Sequence, residues 1–128
     1  MTAPIYTHAL AVATGGAAGS LLRWRIGAWL NPLPMPMAMG TLAVNVIGGA
    51  LIGASLYAFE RAPNDTLRLL LVTGGLGGLT TFSAFSAESL GLVMKGNYAV
   101  AVLHTLAHVL GGLVAAALGY VAARWMLN

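Results

Sequence analysis

The stretch Gly74–Glu88 reads GGLGGLTTFSAFSAE, and the fold turns on how it is read. It sits inside a hydrophobic run that carries no Asp, Glu, Lys or Arg from 69 to 87. Four glycines and two threonines interrupt a segment otherwise suited to crossing a bilayer. A break at membrane depth exposes backbone N–H and C=O groups where no water satisfies them. It is tolerated only where protein buries it or where it lines an aqueous path. Function is therefore sought here first.

The composition carries the membrane premise. Of 128 residues, 59% are hydrophobic and only 7% charged, against about 25% charged in a soluble domain. The length suits one transmembrane domain over 1–128. With no cysteine there is neither a disulfide framework nor a thiolate metal site. The sequence pI near 9.8 rests on six cations against three acids. They form no basic stripe, so a nucleic-acid partner is not expected.

Charge-free runs over 1–22, 26–59, 69–87 and 96–123 divide the chain. A spanning helix needs about 20 mostly apolar residues. Helices are expected near 5–29, 38–59, 67–94 and 98–126, with the third broken near Gly77–Thr81. The fold class is thus an all-α membrane protein of four transmembrane helices. Asn31-Pro-Leu-Pro-Met-Pro36, Ala62-Pro-Asn-Asp65 and Gly96-Asn97 are the turns. The first hydrophobic run lacks a basic n-region and reads as a retained helix, not a signal peptide.

Four spans put both termini on one side, with Arg61, Arg68 and Arg124. Arg23, Arg25 and Lys95 lie on the other. Cytoplasmic loops normally carry the excess of Lys and Arg. Three against three gives no bias, which favours insertion in both orientations and pairing as an antiparallel, dual-topology homodimer. Four helices alone hardly shield a polar path from lipid, which points the same way. Small residues such as Gly15, Gly19, Gly49, Gly53 and Gly119 allow close helix approach.

In GTLAVNVIGG (Gly40–Gly49), Thr41 and Asn45 share a helix face. An intramembrane amide needs a partner. Asn45 either bridges helices or offers its N–H donors to an anion, and the motif alone leaves the two even. Phe82 and Phe85 follow the break directly. Ring edges are positive and can stabilise an anion without a full charge, although such a pair is more often core or lipid-facing. The break frees carbonyls near Gly77–Thr80, oxygen ligands of the kind a sodium ion takes in broken helices; a kink without an ion is the alternative. Glu88 is the one carboxylate well inside a span. Arg23 ends GGAAGSLLRWR (Gly15–Arg25), where it attracts anions at a vestibule or snorkels. His104 and His108 are four apart. No third protein ligand is evident from the sequence, so they read as neutral hydrogen-bonding groups rather than metal ligands. No hydrolase triad or P-loop is present.

GGAAGSLLR, GTLAVN and GGLTTFSAFS, in that order over nearly the full chain, resemble the Fluc (CrcB-type) fluoride ion channels. The resemblance implies a non-enzymatic, passive fluoride exporter of the bacterial cytoplasmic membrane, built as an antiparallel homodimer with two pores. It implies pore roles for Phe82, Phe85 and Asn45, with Ser83, Thr41 and Glu88 as further polar contributors and Arg23 at a vestibule. It also implies a structural sodium ion at the dimer two-fold, held by the carbonyls of Gly77 and Thr80. The chain departs from the family pattern at Gly112 and Ala116, where some relatives carry Ser or Thr, and at Ala84, where many carry Thr. The runner-up is a small proton-coupled multidrug antiporter. It would need an intramembrane acid, and residues 1–22 offer none.

Overall fold

A computed structural model describes residues 3–128. Among them the chain is all-helical, with no strand. Helix α1 runs Ile5–Leu30 and α2 Met39–Arg61. The next segment opens as α3 (Asp65–Arg68), continues as a π-helical stretch (Leu69–Leu76) and ends in α4 (Gly77–Leu79). After Thr80 and Thr81, α5 runs Phe82–Met94 and α6 Tyr98–Leu127. Among the described residues, three helical stretches are long and apolar enough to cross a membrane: Met39–Arg61, Asp65–Met94 and Tyr98–Leu127.

Local chemistry sets the ends. Asn64 caps α3 by accepting the Leu67 N–H at 2.9 Å, so helix begins two residues before the expected 67. Asn31 accepts the Gly40 N–H at 2.8 Å and closes the proline-rich turn onto α2. Gly96, at φ 75°, makes the sharp reversal between α5 and α6, a conformation glycine adopts without penalty. Arg61 donates to Tyr57 Oη and to Asn128 Oδ1, tying the end of α2 to the C-terminus.

Two intimate helix pairs make up the body. The most extensive is α2 with α6. A Cβ at Gly49 would meet the Gly112 carbonyl, and one at Gly53 the Ala116 carbonyl. Both positions advance by four residues on each helix, so the two run parallel. A Cβ on Gly119 would collide with the Ala50 carbonyl. In the second pair, α1 presents Gly15 to Leu70 and Gly75, and Gly19 to Gly75 and Leu79, again in parallel register. Without side chains between them the backbones come within dispersion contact, the source of helix affinity in lipid. The same crowding accompanies the π-helical stretch, which was not legible in the sequence.

This packing predicts a contrast. Gly53→Ala places a methyl on the Ala116 carbonyl and lowers stability by about 1–3 kcal/mol, the usual cost of overpacking. Gly91→Ala, with nothing within 4 Å, is neutral or stabilising by up to about 1 kcal/mol. Thermal unfolding of the detergent-solubilised protein measures both.

Candidate functional site

The helix fails at Thr80 and Thr81, both in extended conformation (φ −82°, ψ 157° and φ −151°, ψ 117°). Side chains take over the hydrogen bonding that helix would supply. The Thr80 hydroxyl donates back to the Leu76 carbonyl at 2.8 Å. The Thr81 hydroxyl accepts the Ala84 N–H at 3.1 Å and so caps α5. Asn45, reaching from α2, accepts the Thr81 N–H at 2.8 Å and donates to the Thr81 carbonyl at 3.0 Å. Its Nδ2 also lies 3.1 Å from His108 Nδ1. Of the two readings left open for Asn45, the interhelical bridge is thus present in the structure.

These substitutions release carbonyls. In an unbroken helix the N–H of Thr81 would bond Gly77 O, and that of Ala84 would bond Thr80 O. Both donors are engaged elsewhere, with Asn45 Oδ1 and Thr81 Oγ1. The carbonyls of Gly77 and Thr80 thus lose their usual helical donors, in two residues that line the groove described below, and hard oxygens of this kind fit sodium. Arg23 Nε donates to the Gly78 carbonyl at 2.9 Å, taking a third oxygen of the break.

A groove of about 640 Å³ runs along this break, and Asn45, Gly77, Thr80, Phe82, Phe85 and His108 are among its lining residues. Phe82 is 79% exposed, unusual for an aromatic ring directly after a buried turn. Its ring centroid is 5.5 Å from that of Phe85. Phe85 stacks on His104 at 5.5 Å and tilts against His108 at 4.7 Å. Gly112 and Ala116 line the same groove. A Cβ at Gly112 would meet nothing within 4 Å, so this wall is open rather than hydroxylated.

A second cavity, about 380 Å³, is bounded by Arg23, Trp24, Thr41, Thr81 and Glu88 among others. Here Thr41 Oγ1 donates to Glu88 Oε1 at 2.5 Å. His104 Nε2 meets Glu88 Oε2 at 3.1 Å, and His104 Nδ1 meets Ser89 Oγ at 2.9 Å. The Ser83 hydroxyl lies 3.3 Å from that of Thr81. Trp24 and Trp29 are exposed, with Arg25 lying 5.2 Å over the Trp29 ring.

One grouping escaped sequence reasoning. His104 and His108 do have a third neighbour: ligand atoms of Glu88, His104 and His108 all lie within 4.8 Å of one another. The signal was available. Glu88 lies eight residues before the Gly96 turn and His104 eight after it. A tight antiparallel hairpin brings such positions together.

The family model described as CrcB-like protein, Camphor Resistance (CrcB), matches residues 10–120. The chain belongs to the CrcB family. It is 50% identical over 115 residues, 88% of each chain, to a protein of Aromatoleum aromaticum named fluoride-specific ion channel FluC. Proteins of the same name from Thiobacillus denitrificans and Pseudomonas aeruginosa are 44% and 45% identical. Those matches cover 94% and 93% of this chain, and 98% and 95% of theirs. The family members so named are ion channels, not enzymes.

The bracing of the break is testable. Asn45→Leu strands the N–H and C=O of Thr81, at about 1–3 kcal/mol for each buried group left unpaired. A lower melting temperature in detergent and faster amide hydrogen exchange at Thr81 are expected.

Proposed function

We propose that this chain is a passive, fluoride-selective channel of the bacterial cytoplasmic membrane. It acts as an antiparallel, dual-topology homodimer of four-pass subunits, with one domain per subunit, two pores per dimer and a central sodium ion. The observation that carries the reading is the break at Thr80 and Thr81, narrower than the expected Gly77–Thr81, beside Phe82 and Phe85, in a chain 50% identical to a protein named for fluoride conduction.

The physics supports each part. Gly77 and Thr80 line the groove together with the exposed Phe82. Lipid cannot satisfy freed carbonyls, and a second copy laid over the groove removes them from it. Helix α1 is 26 residues, about 39 Å at the α-helical rise, long enough for the fourth crossing. The parallel registers of α1 with the third segment and of α2 with α6 suit an up-down-up-down chain. The even split of Arg and Lys between the two sides lets copies insert either way.

Sodium would be held by the carbonyls of Gly77 and Thr80 from both copies, where its charge would tie the subunits together. Fluoride is small and strongly hydrated, so a narrow path must replace its water. The ring edges of Phe82 and Phe85 offer partial positive charge, while Asn45, Thr41 and Ser83 add polar lining. Partial charges keep binding weak enough for release. Arg23 and Glu88 belong to the adjoining vestibule. Hydrogen fluoride crosses lipid as the neutral acid and ionises in the more alkaline cytoplasm, and a passive channel lets the anion leave.

Proteoliposomes carrying the protein should release fluoride far faster than chloride, and Phe82→Ile or Phe85→Ile should cut the fluoride rate at least about ten-fold, given the loss of charge-assisted contacts of roughly 1.5–3 kcal/mol. Leakage equal to that of protein-free vesicles would refute the reading. Glu88→Gln separates it from a proton-coupled antiporter: passive fluoride flux persists in the variant, whereas coupled exchange would require the carboxylate.

A further inference from the structure

We propose that the furrow between α5 and α6 binds one anionic phospholipid, whose acyl chain lies between the two helices and whose phosphate meets Lys95. The site stands apart from the groove at the break and does not depend on which ion the protein passes.

The two helices of this hairpin leave a space of about 390 Å³ between them. Tyr98, Ala101, Val102 and Thr105 line one wall, on a single stripe of α6. Ser89 and Val93 line the other, on α5. None of these residues lines the groove at the break, so the surface assigned above to a second copy is a different one.

Below Tyr98 the furrow is dry. Its two hydroxyls are bonded inside the chain. Ser89 Oγ lies 2.9 Å from His104 Nδ1, and Thr105 Oγ1 donates to the Ala101 carbonyl at 2.9 Å. The remaining lining is apolar, so nothing there holds water or an ion. In a bilayer such a furrow fills with hydrocarbon, because an empty one forfeits dispersion contact along its walls. The wall from Tyr98 to Leu106 is about 12 Å long at the helical rise, a length that suits the upper part of one acyl chain.

The end of the furrow selects the headgroup. The Gly96 turn closes the hairpin there, and beside it stands Lys95, the only Asp, Glu, Lys or Arg from 89 to 123. Lys95 is exposed and, among the described residues, takes part in no ion pair. Glu88, the acid that precedes it, is engaged by Thr41 and His104. Asn97 gives the 30-residue α6 no side-chain cap, so the first N–H groups of that helix add positive character at the same boundary. Tyr98 is exposed beside them, as an aromatic ring at headgroup level is. A cation at the end of an apolar furrow matches a lipid with a net negative headgroup better than a zwitterionic one.

The test is native mass spectrometry of the protein released from nanodiscs that hold phosphatidylglycerol and phosphatidylcholine in equal amounts with matched acyl chains. The expected result is one phosphatidylglycerol retained per chain, preferred about five-fold, the ratio that one lysine near an anionic surface supplies. Lys95→Gln brings the preference close to one, and Lys95→Arg keeps it. Val102→Phe sets a ring on an exposed wall of the furrow and loses retained lipid of both kinds. Equal retention of the two lipids by the wild type, an unchanged preference in Lys95→Gln, or unchanged retention in Val102→Phe overturns the inference. So does a loss of dimer mass in Val102→Phe, which marks a second copy as the occupant. If Val102→Phe does not fold, the Lys95 variants decide.

Discussion

Asn45 holds the backbone of Thr81 by both its N–H and its C=O, and the rest of the site depends on that pairing. It imitates one rung of a β-ladder inside a membrane helix. Two residues of extended chain thus persist at a depth where unpaired peptide groups are costly. With Thr80 bonded back to Leu76 and Thr81 capping α5, the N–H groups of Thr80, Thr81 and Ala84 all have acceptors. What remains is a surplus of acceptors, the carbonyls of Gly77 and Thr80. A surplus of oxygen calls for a cation, and sodium is the cation proposed.

The glycines serve that arrangement in two ways. Some allow α1 and the third segment, and α2 and α6, to meet backbone to backbone. The approach of α2 to the third segment, on which the Asn45–Thr81 bonds depend, is set at Gly48. Gly48 faces Thr80 so closely that a Cβ there would strike its methyl. At Gly112 the space is left open and becomes groove. Small residues on the fourth long helix therefore support packing and vacancy together.

How much was legible follows from the kind of signal. Helix limits came within about two residues because charges and prolines mark them locally, as at Arg61, Pro32 and Gly96. An interruption near Gly77–Thr81 was visible because glycine and threonine at membrane depth contradict their surroundings, although helix is lost only at Thr80 and Thr81. Asn45 was visible as a polar residue needing a partner, but which partner was not, since Thr81 lies 36 residues away. Likewise Arg23 read as a vestibule cation, and its bond to Gly78, 55 residues on, depends on the register between two helices. The Glu88–His104–His108 grouping fell between these cases, because the hairpin geometry was present in the sequence and only the facing of the side chains was not.

The charges near the groove share a pattern that bears on conduction. The Arg23 guanidinium bonds the Gly78 carbonyl, and the Glu88 carboxylate accepts from Thr41 and meets His104. Each full charge is tied to a structural partner. Phe82 and Phe85 line the groove, and no Arg, Lys, Asp or Glu does. A free guanidinium would bind fluoride tightly and hold it, whereas an unattended carboxylate would exclude it. Partial charges on rigid groups avoid both outcomes. They compensate lost hydration in small increments along the wall, so that no single site becomes a trap. In the proposed channel this division of labour, with full charges held by structural partners and weak dipoles left for the ion, suits a groove lined by no cationic side chain.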